Sequence, residues 1–269
     1  MKKIFTLLTI TAAFTATQAQ TGLQVGADLG FNSTWIVNQN NYGYQELDYT
    51  RTFGMAGGLT FGFNTSETIG FQAELNYVNL GQHYFDIAKD FGPDDGTGKR
   101  QKVDTYRFVD LNYFQVPIMF RYQTEKEKKT VVTYHMMLGP SFGFLLSADQ
   151  HYEADTTYTN EVVTLPTEYA PEPHVIEFAA SSTIEEAKDY FSGFDLGLQG
   201  ELGVDIYVND NVYISPGFRF NYGLTDINSA PTRELIDDDG LHYEYKGASH
   251  NFYGGIYVGC HINLGGESN

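Results

Sequence analysis

The chain has 269 residues, a formal net charge of −18, 15% aromatic residues with 20 Tyr and 20 Phe, 28 Gly and a single Cys. The acidic balance excludes a nucleic-acid partner, because a phosphate backbone requires a basic surface. The lone Cys260 excludes an internal disulfide framework and a cysteine metal cluster, and reads as a small apolar strand residue.

The chain opens with Lys2 and Lys3, an apolar run from Ile4 to Ala16, and small residues at Thr17 and Ala19. This pattern predicts a signal peptide over residues 1–19, cut before Gln20 and followed by one β domain over residues 20–269. No cysteine follows the cut, so no lipoprotein anchor is expected. No later apolar run reaches the ~18 residues that a membrane helix needs. Strict alternation still allows a membrane barrel, because it hides the lipid face from any hydropathy average.

Alternation then appears in chain order. Leu23 to Phe31 places Leu23, Val25, Ala27, Leu29 and Phe31 on one face, with Gln24, Gly26, Asp28 and Gly30 on the other. After a polar loop over 32–52, strands run from Phe53 to Phe63 and from Thr68 to Leu80 across a short turn at Asn64–Glu67. Pairing Phe61 with Phe71 keeps their faces consistent and sets Glu74 opposite Gly58. The segment 81–107 reads as a loop. Leu111 to Tyr122 reads as a fourth strand, with a bulge or bend expected at Pro117. Val131 to Ala148 is the fifth. The acidic stretch 149–189 reads as a long loop with a short helix near Ser182–Lys188, on a capping-box pattern.

The clearest pair lies between Tyr190 and Asn228. Phe194, Leu198, Leu202 and Ile206 alternate with Asp195, Gly197, Gln199, Glu201, Gly203 and Asp205. Val212, Ile214, Phe218, Phe220 and Tyr222 resume the apolar face. A three-residue loop at Asn209–Asn211, with Asn211 in the left-handed region, sets Glu201 opposite Arg219; a two-residue loop would scramble the faces. An acidic loop over 226–249 and a last strand from Asn251 to Leu264 complete the chain. Eight strands joined alternately by long and short connections predict an all-β, antiparallel, up-and-down transmembrane β-barrel with long extracellular loops and short periplasmic turns.

The run LNYFQVPIMFRY, then MLGPSFGFLL, FDLGLQGELGVDI and FNYGLTDIN, in that order, resembles the outer-membrane β-barrel domain of PorT-type proteins of Bacteroidetes. The resemblance covers most of the chain. It implies an eight-stranded barrel in the cell outer membrane, a secretion-associated role known for a few members, and no catalytic residues to carry over.

Glu201, Arg219, Glu74, Arg121, Asp28 and Asp195 share the polar face with Gln72, Asn76, Gln199 and Asn221. In an eight-stranded barrel such a face points into an interior filled by side chains, so a packed, paired lumen is expected in preference to a gated passage. Replacing Glu201 and Arg219 together is accordingly expected to be far milder than replacing Arg219 alone. His135, Ser141 and Asp205 also fall on polar faces, but Ser141 and His135 are ~20 Å apart along one strand, so no catalytic set is expected. His261 approaches His135 only if barrel closure places them together. The acidic clusters at Asp90, Asp94, Asp95 and at Asp237, Asp238, Asp239 match no calcium-loop spacing, and GTGK at Gly96–Lys99 is not a phosphate loop. The expected function is therefore non-enzymatic, structural or binding, without metal or cofactor. Its partners are outer-membrane lipid and, through loops 149–189 and 226–249, an envelope or extracellular protein. The readings set aside are a lipid-modifying barrel enzyme and a soluble calyx with an apolar ligand.

Overall fold

In the computed structural model the described residues are 22–38, 48–88, 96, 103–126, 131–154, 163–165, 176–178, 181–184, 187–229, 234–236, 242–244 and 248–264. Eight long strands form the barrel: β1 Leu23–Val37, β2 Thr52–Asn64, β3 Ile69–Ala88, β4 Val103–Gln123, β5 Val132–Ala154, β6 Phe194–Tyr207, β7 Val212–Gly223 and β8 His250–Asn263. Each pairs antiparallel with the next, and β8 closes on β1. Following the hydrogen-bonded partners from Leu23 through Phe63, Phe71, Phe120, Leu138, Gly200, Phe220 and Gly254 returns to β1 at Ser33, ten residues further along. With eight strands, that stagger inclines them by ~40° to the barrel axis.

The outward face is apolar. Leu29, Met55, Leu202, Phe218 and Ile256 are each more than half exposed. Among the described residues, no outward position between the turn-proximal ends of the strands and the level of Tyr77, Phe53 and Tyr222 carries a charge. The outward row of β7 from Val212 to Leu224 climbs ~30 Å at this inclination, the thickness of a bilayer's hydrocarbon core. A polar ring closes the band on β3 to β5, where Tyr77 Oη and Asn79 Nδ2 donate to Asn112 Oδ1 and Asn112 Nδ2 donates to Ser147 Oγ. Cys260 is exposed on this apolar face.

Several expectations change. β1, β3, β4 and β5 all run beyond the predicted ends, so the proposed loop 81–107 is strand as far as Ala88 and again from Val103, and Asp149 lies within β5. Above the polar ring the outer wall no longer meets hydrocarbon, and GQHYFDIA has no contrast between its faces to betray a strand. Ser181–Ile184 pairs with β5 instead of forming a helix, and the helical turn is a 3-10 segment at Ala187–Tyr190. Asp48–Thr50 adds to the free edge of β3.

The β2–β3 hairpin is shifted by two residues. Phe61 faces Ala73 and Glu74 faces Thr60, because Thr65 and Ser66 both donate backbone N–H to the Ile69 carbonyl and lengthen the turn. A shift of two preserves the faces, which is why alternation could not detect it. The register between β4 and β5 shifts at Asn112/Tyr113, where β5 carries the extra residue Leu146, and it is the same on both sides of Pro117. The β6–β7 turn has the predicted register without a left-handed Asn211. Asn209 Oδ1 instead accepts from the backbone N–H of Asn211 and Val212, at 2.9 and 2.8 Å. Asn38 is the one described non-glycine residue at positive φ, 69°.

Closure also depends on positions without a side chain. A Cβ on Gly58 would stand 2.1 Å from the Leu75 carbonyl oxygen and 2.2 Å from Asn76 Oδ1. Folded wild-type protein should migrate anomalously on gels until boiled, and Gly58→Val should shift most of the unboiled sample to the unfolded position. Wild-type-like heat modifiability of Gly58→Val would contradict the β2–β3 register.

Candidate functional site

The strands aim four layers of side chains into the lumen. Lowest, near the short turns, lie Gln24, Arg121, His135, Asp205, Tyr213, Ser215 and His261. Above them come Asp28, Glu74, Glu201, Arg219 and Tyr257, followed by an amide and hydroxyl layer of Asn76, Gln115, Ser141, Gln199, Asn221 and Tyr253. Uppermost is an apolar layer that includes Ile36, Val78, Leu80, Val109, Leu111, Ala148, Ala187, Phe191 and Ile227.

Arg219 is the centre of the charged layers. Its Nη1 and Nη2 donate to the two oxygens of Glu74 at 2.8 and 2.9 Å, and its Nε donates to Glu201 Oε2 at 2.6 Å. Asp28 Oδ2 stands 3.0 Å from Nη2 as an ion pair, without the direction of a hydrogen bond. The guanidinium lies 3.9 Å over the Tyr257 ring. Gly30 makes room for that ring, since a Cβ there would be 2.3 Å from it. Glu74 also accepts from Gln72 Nε2 and Asn76 Nδ2, both at 2.7 Å, so each of its oxygens has two donors.

Arg121 forms the lower centre. It pairs with Asp205, and its Nη1 donates to Gln72 Oε1 and Tyr213 Oη, both at 3.3 Å. Tyr213 donates onward to Gln24 at 2.6 Å and stacks on His261 at 4.9 Å. His135 joins the centres, with Nε2 3.1 Å from Glu201 Oε1 and Nδ1 2.9 Å from Asp205 Oδ1, the second contact being poorly directed. Both ring nitrogens therefore face carboxylate oxygens, which accept and do not donate, an arrangement suited to the imidazolium.

Asp195 stands apart from the arginines. Its oxygens accept from Thr225 Oγ1 and Asn251 Nδ2, at 2.9 Å each. Of the six residues singled out in the sequence, five enter the two arginine centres, and Asp195 instead holds Thr225 and Asn251 above them. Sequence reasoning missed that Asp205 and His135 belong to the charge network. Asp205 was visible on the alternating polar face, but its partner Arg121 comes from β4, and that pairing required the barrel's closure.

Of His135, Ser141 and Asp205, the barrel brings His135 and Asp205 together and leaves Ser141 apart. Ser141 accepts from Asn221 Nδ2 at 2.6 Å, away from His135. Ser215 donates to Asp205 Oδ1 at 2.5 Å, and His135, Asp205 and Ser215 are all buried. The cavity that His135 and His261 line together is about 10 Å³, enough for a single water. Asp90, Asp94, Asp95, Asp237, Asp238, Asp239 and Lys99 lie outside the described residues. No three His, Cys, Asp or Glu side chains form a metal-binding group among the described ones. On the outer wall above the polar ring, Asp110 faces Asp149 between His83 and His151. Burial there raises the Asp110 carboxyl and lowers the His83 imidazole from their usual ranges.

The apolar outward band, the closed register and the polar interior define a membrane barrel, and the family comparison agrees. The profile described as "Outer membrane protein beta-barrel domain" matches residues 18–229. The chain belongs to this outer-membrane barrel family. Similar solved structures include Neisserial surface protein A, at 12% identity and TM-score 0.42, covering 90% of this chain and 97% of that one. A major outer membrane protein of Thermus thermophilus shows 11% identity and TM-score 0.39, covering 91% and 99%. OprG of Pseudomonas aeruginosa shows 12% identity and TM-score 0.35, covering 90% and 95%. No curated protein matches.

Arg219 holds three carboxylates, which changes the expectation for replacing it together with Glu201. Arg219→Met should cost about 3–5 kcal/mol, because it leaves buried charges unpaired. Adding Glu201→Gln should recover little, since Glu74 and Asp28 remain. Adding Glu74→Gln should recover more. Urea unfolding of the four proteins in lipid vesicles tests the order, and equal recovery from both second substitutions would remove Arg219 from the centre of the network.

Proposed function

We propose that this outer-membrane barrel is non-enzymatic and that its lumen is structural, so that its biological role is exercised at the rim of long connections. The observation that carries this reading is the apolar layer above the lumen. Ile36, Val78, Val109, Leu111 and Ile227 are fully buried there. Ile227 is held in place by backbone bonds, with Ser192 N–H donating to its carbonyl at 2.6 Å and its own N–H donating to Ser249 at 3.0 Å. Ions and polar solutes would have to cross that layer. A lipid-modifying enzyme would need Ser, His and carboxylate groups converging on one rim, and among the described residues the grouping of His135, Asp205 and Ser215 is enclosed.

The mature protein on this reading starts at Gln20 and turns its long connections outward. It engages an envelope or extracellular protein through residues 149–189 and 226–249. The resemblance to PorT-type proteins of Bacteroidetes supports a secretion-associated or assembly role.

Two measurements test this. Protein reconstituted in planar bilayers should show no steady conductance, whereas a stable open level in wild type would reject the structural lumen. Protease added to intact cells should cut in the long connections and spare the turns at 65–68 and 208–211. Cleavage only after the outer membrane is permeabilised would invert the orientation.

A further inference from the structure

Above Thr34, β1 has lost its partner on one side. Thr34 pairs with Thr52, but among the described residues Trp35, Ile36 and Val37 pair only with β8, while Asp48–Thr50 continues the β2 edge along β3. This interrupts the wall at the upper edge of the lipid band. The notch contains a cavity of about 550 Å³ lined by Trp35, Ile36, Val37, Asn38, Tyr49 and Phe252. Its size lies within the ~300–1,000 Å³ range of small-molecule sites.

The lining is apolar except for Asn38 and the Tyr49 hydroxyl. Trp35 and Phe252 pack with ring centroids 5.3 Å apart. They continue the outward aromatic row through Tyr222, whose ring is 6.4 Å from Phe252, so one wall of the cavity is continuous with the lipid-facing surface. Ile36 belongs to the buried apolar layer, so the opposite wall is the protein's own core. Asn38, in the left-handed conformation, turns the chain off the strand and donates from Nδ2 to the Ala248 carbonyl at 3.3 Å, which fixes the polar end.

We infer that this notch binds one acyl chain of a lipid from the leaflet on the long-loop side, with the chain along Trp35, Val37 and Phe252 and its polar end at Asn38. The notch joins the lipid-facing surface through Phe252 and Tyr222, so lipid hydrocarbon is the apolar ligand that adjoins it. A chain entering from the band exchanges one apolar surrounding for another, so its binding rests on contact and shape more than on release from water. A soluble apolar compound would have to reach the same cavity through the headgroup layer. This inference is independent of the proposed function, since a structural lumen is compatible with an occupied or an empty notch.

Trp35 is the chain's one tryptophan, so the site carries its own reporter. Folded protein held in amphipol, free of detergent, is titrated with a dibrominated fatty acid. The inference requires loss of most of the Trp35 emission, saturating near one equivalent and reversed by excess unbrominated fatty acid. Val37→Phe should narrow the cavity and abolish the saturable component, whereas Leu59→Phe, on the lipid face away from the notch, should leave it intact. Heat modifiability shows that each variant is folded, and if Val37→Phe does not fold, displacement by the unbrominated acid decides. Quenching that rises linearly without saturating, that excess unbrominated acid does not reverse, or that is unchanged in folded Val37→Phe would overturn the inference.

Discussion

The structure depends on the placing of charge in a space too small for bulk water. Eight strands with a stagger of ten enclose an interior that side chains must fill, and the lipid around it leaves polar groups nowhere else to go. Asp28, Glu74, Glu201 and Asp205 supply four carboxylates to the two arginine centres, and Arg121 and Arg219 supply two guanidiniums. Arg121 takes Asp205, so Arg219 must serve the other three acids. The planar fork of Arg219 does so by giving two donors to Glu74 and a third to Glu201, leaving Asp28 as a less directed ion pair. A lysine at position 219 would carry the charge without that divergence of donors. His135, between Glu201 and Asp205, turns both ring nitrogens towards carboxylates where the two centres meet.

The network also constrains the sheet. Glu74 comes from β3, Glu201 from β6, Arg219 from β7 and Asp28 from β1, so Arg219 can meet all three acids only if the registers between these strands are correct together. Slipping one hairpin by two residues keeps the lipid face apolar and would pass unnoticed from outside the barrel. Inside, it would carry a carboxylate some 7 Å along the axis of its strand and leave it unpaired in a low-dielectric space. Alternation selects the face and the buried charges select the register.

The same distinction explains what could be read in the sequence. Strand number, faces and the β6–β7 register were legible because the lipid and lumen sides demand opposite chemistry at every second residue, and because the loop at Asn209–Asn211 admits one consistent pairing. The β2–β3 register was not, since either pairing satisfies the same alternation and the choice falls to backbone bonds at Ile69. Glu201 and Arg219 were found together because they lie on consecutive strands. The partnership of Arg121 with Asp205, and the position of His135 between two acids, join β4, β5 and β6 through the lumen and have no local signature. Asp195 was grouped with the charge cluster because a face assignment carries no height, and it proved to sit two layers above Arg219.

The upper ends of β3, β4 and β5 were missed for a reason that also accounts for the division of the lumen. Within the lipid band, the outward side chains are surrounded by hydrocarbon, and burying further apolar groups inside gains little from the expulsion of water. Cohesion there must come from hydrogen bonds and ion pairs, which are strong where water is scarce. Above the polar ring at Asn79, Asn112 and Ser147 the surroundings are aqueous, and the hydrophobic effect again rewards an apolar interior. The lumen changes at about that height from Arg219 and its acids, through amides, to Val78, Leu111 and Ile227. The barrel therefore joins two folding regimes along one set of strands. The strand ends that lack a clean apolar and polar contrast are those in which the outer face meets water and the inner face is the hydrophobic one.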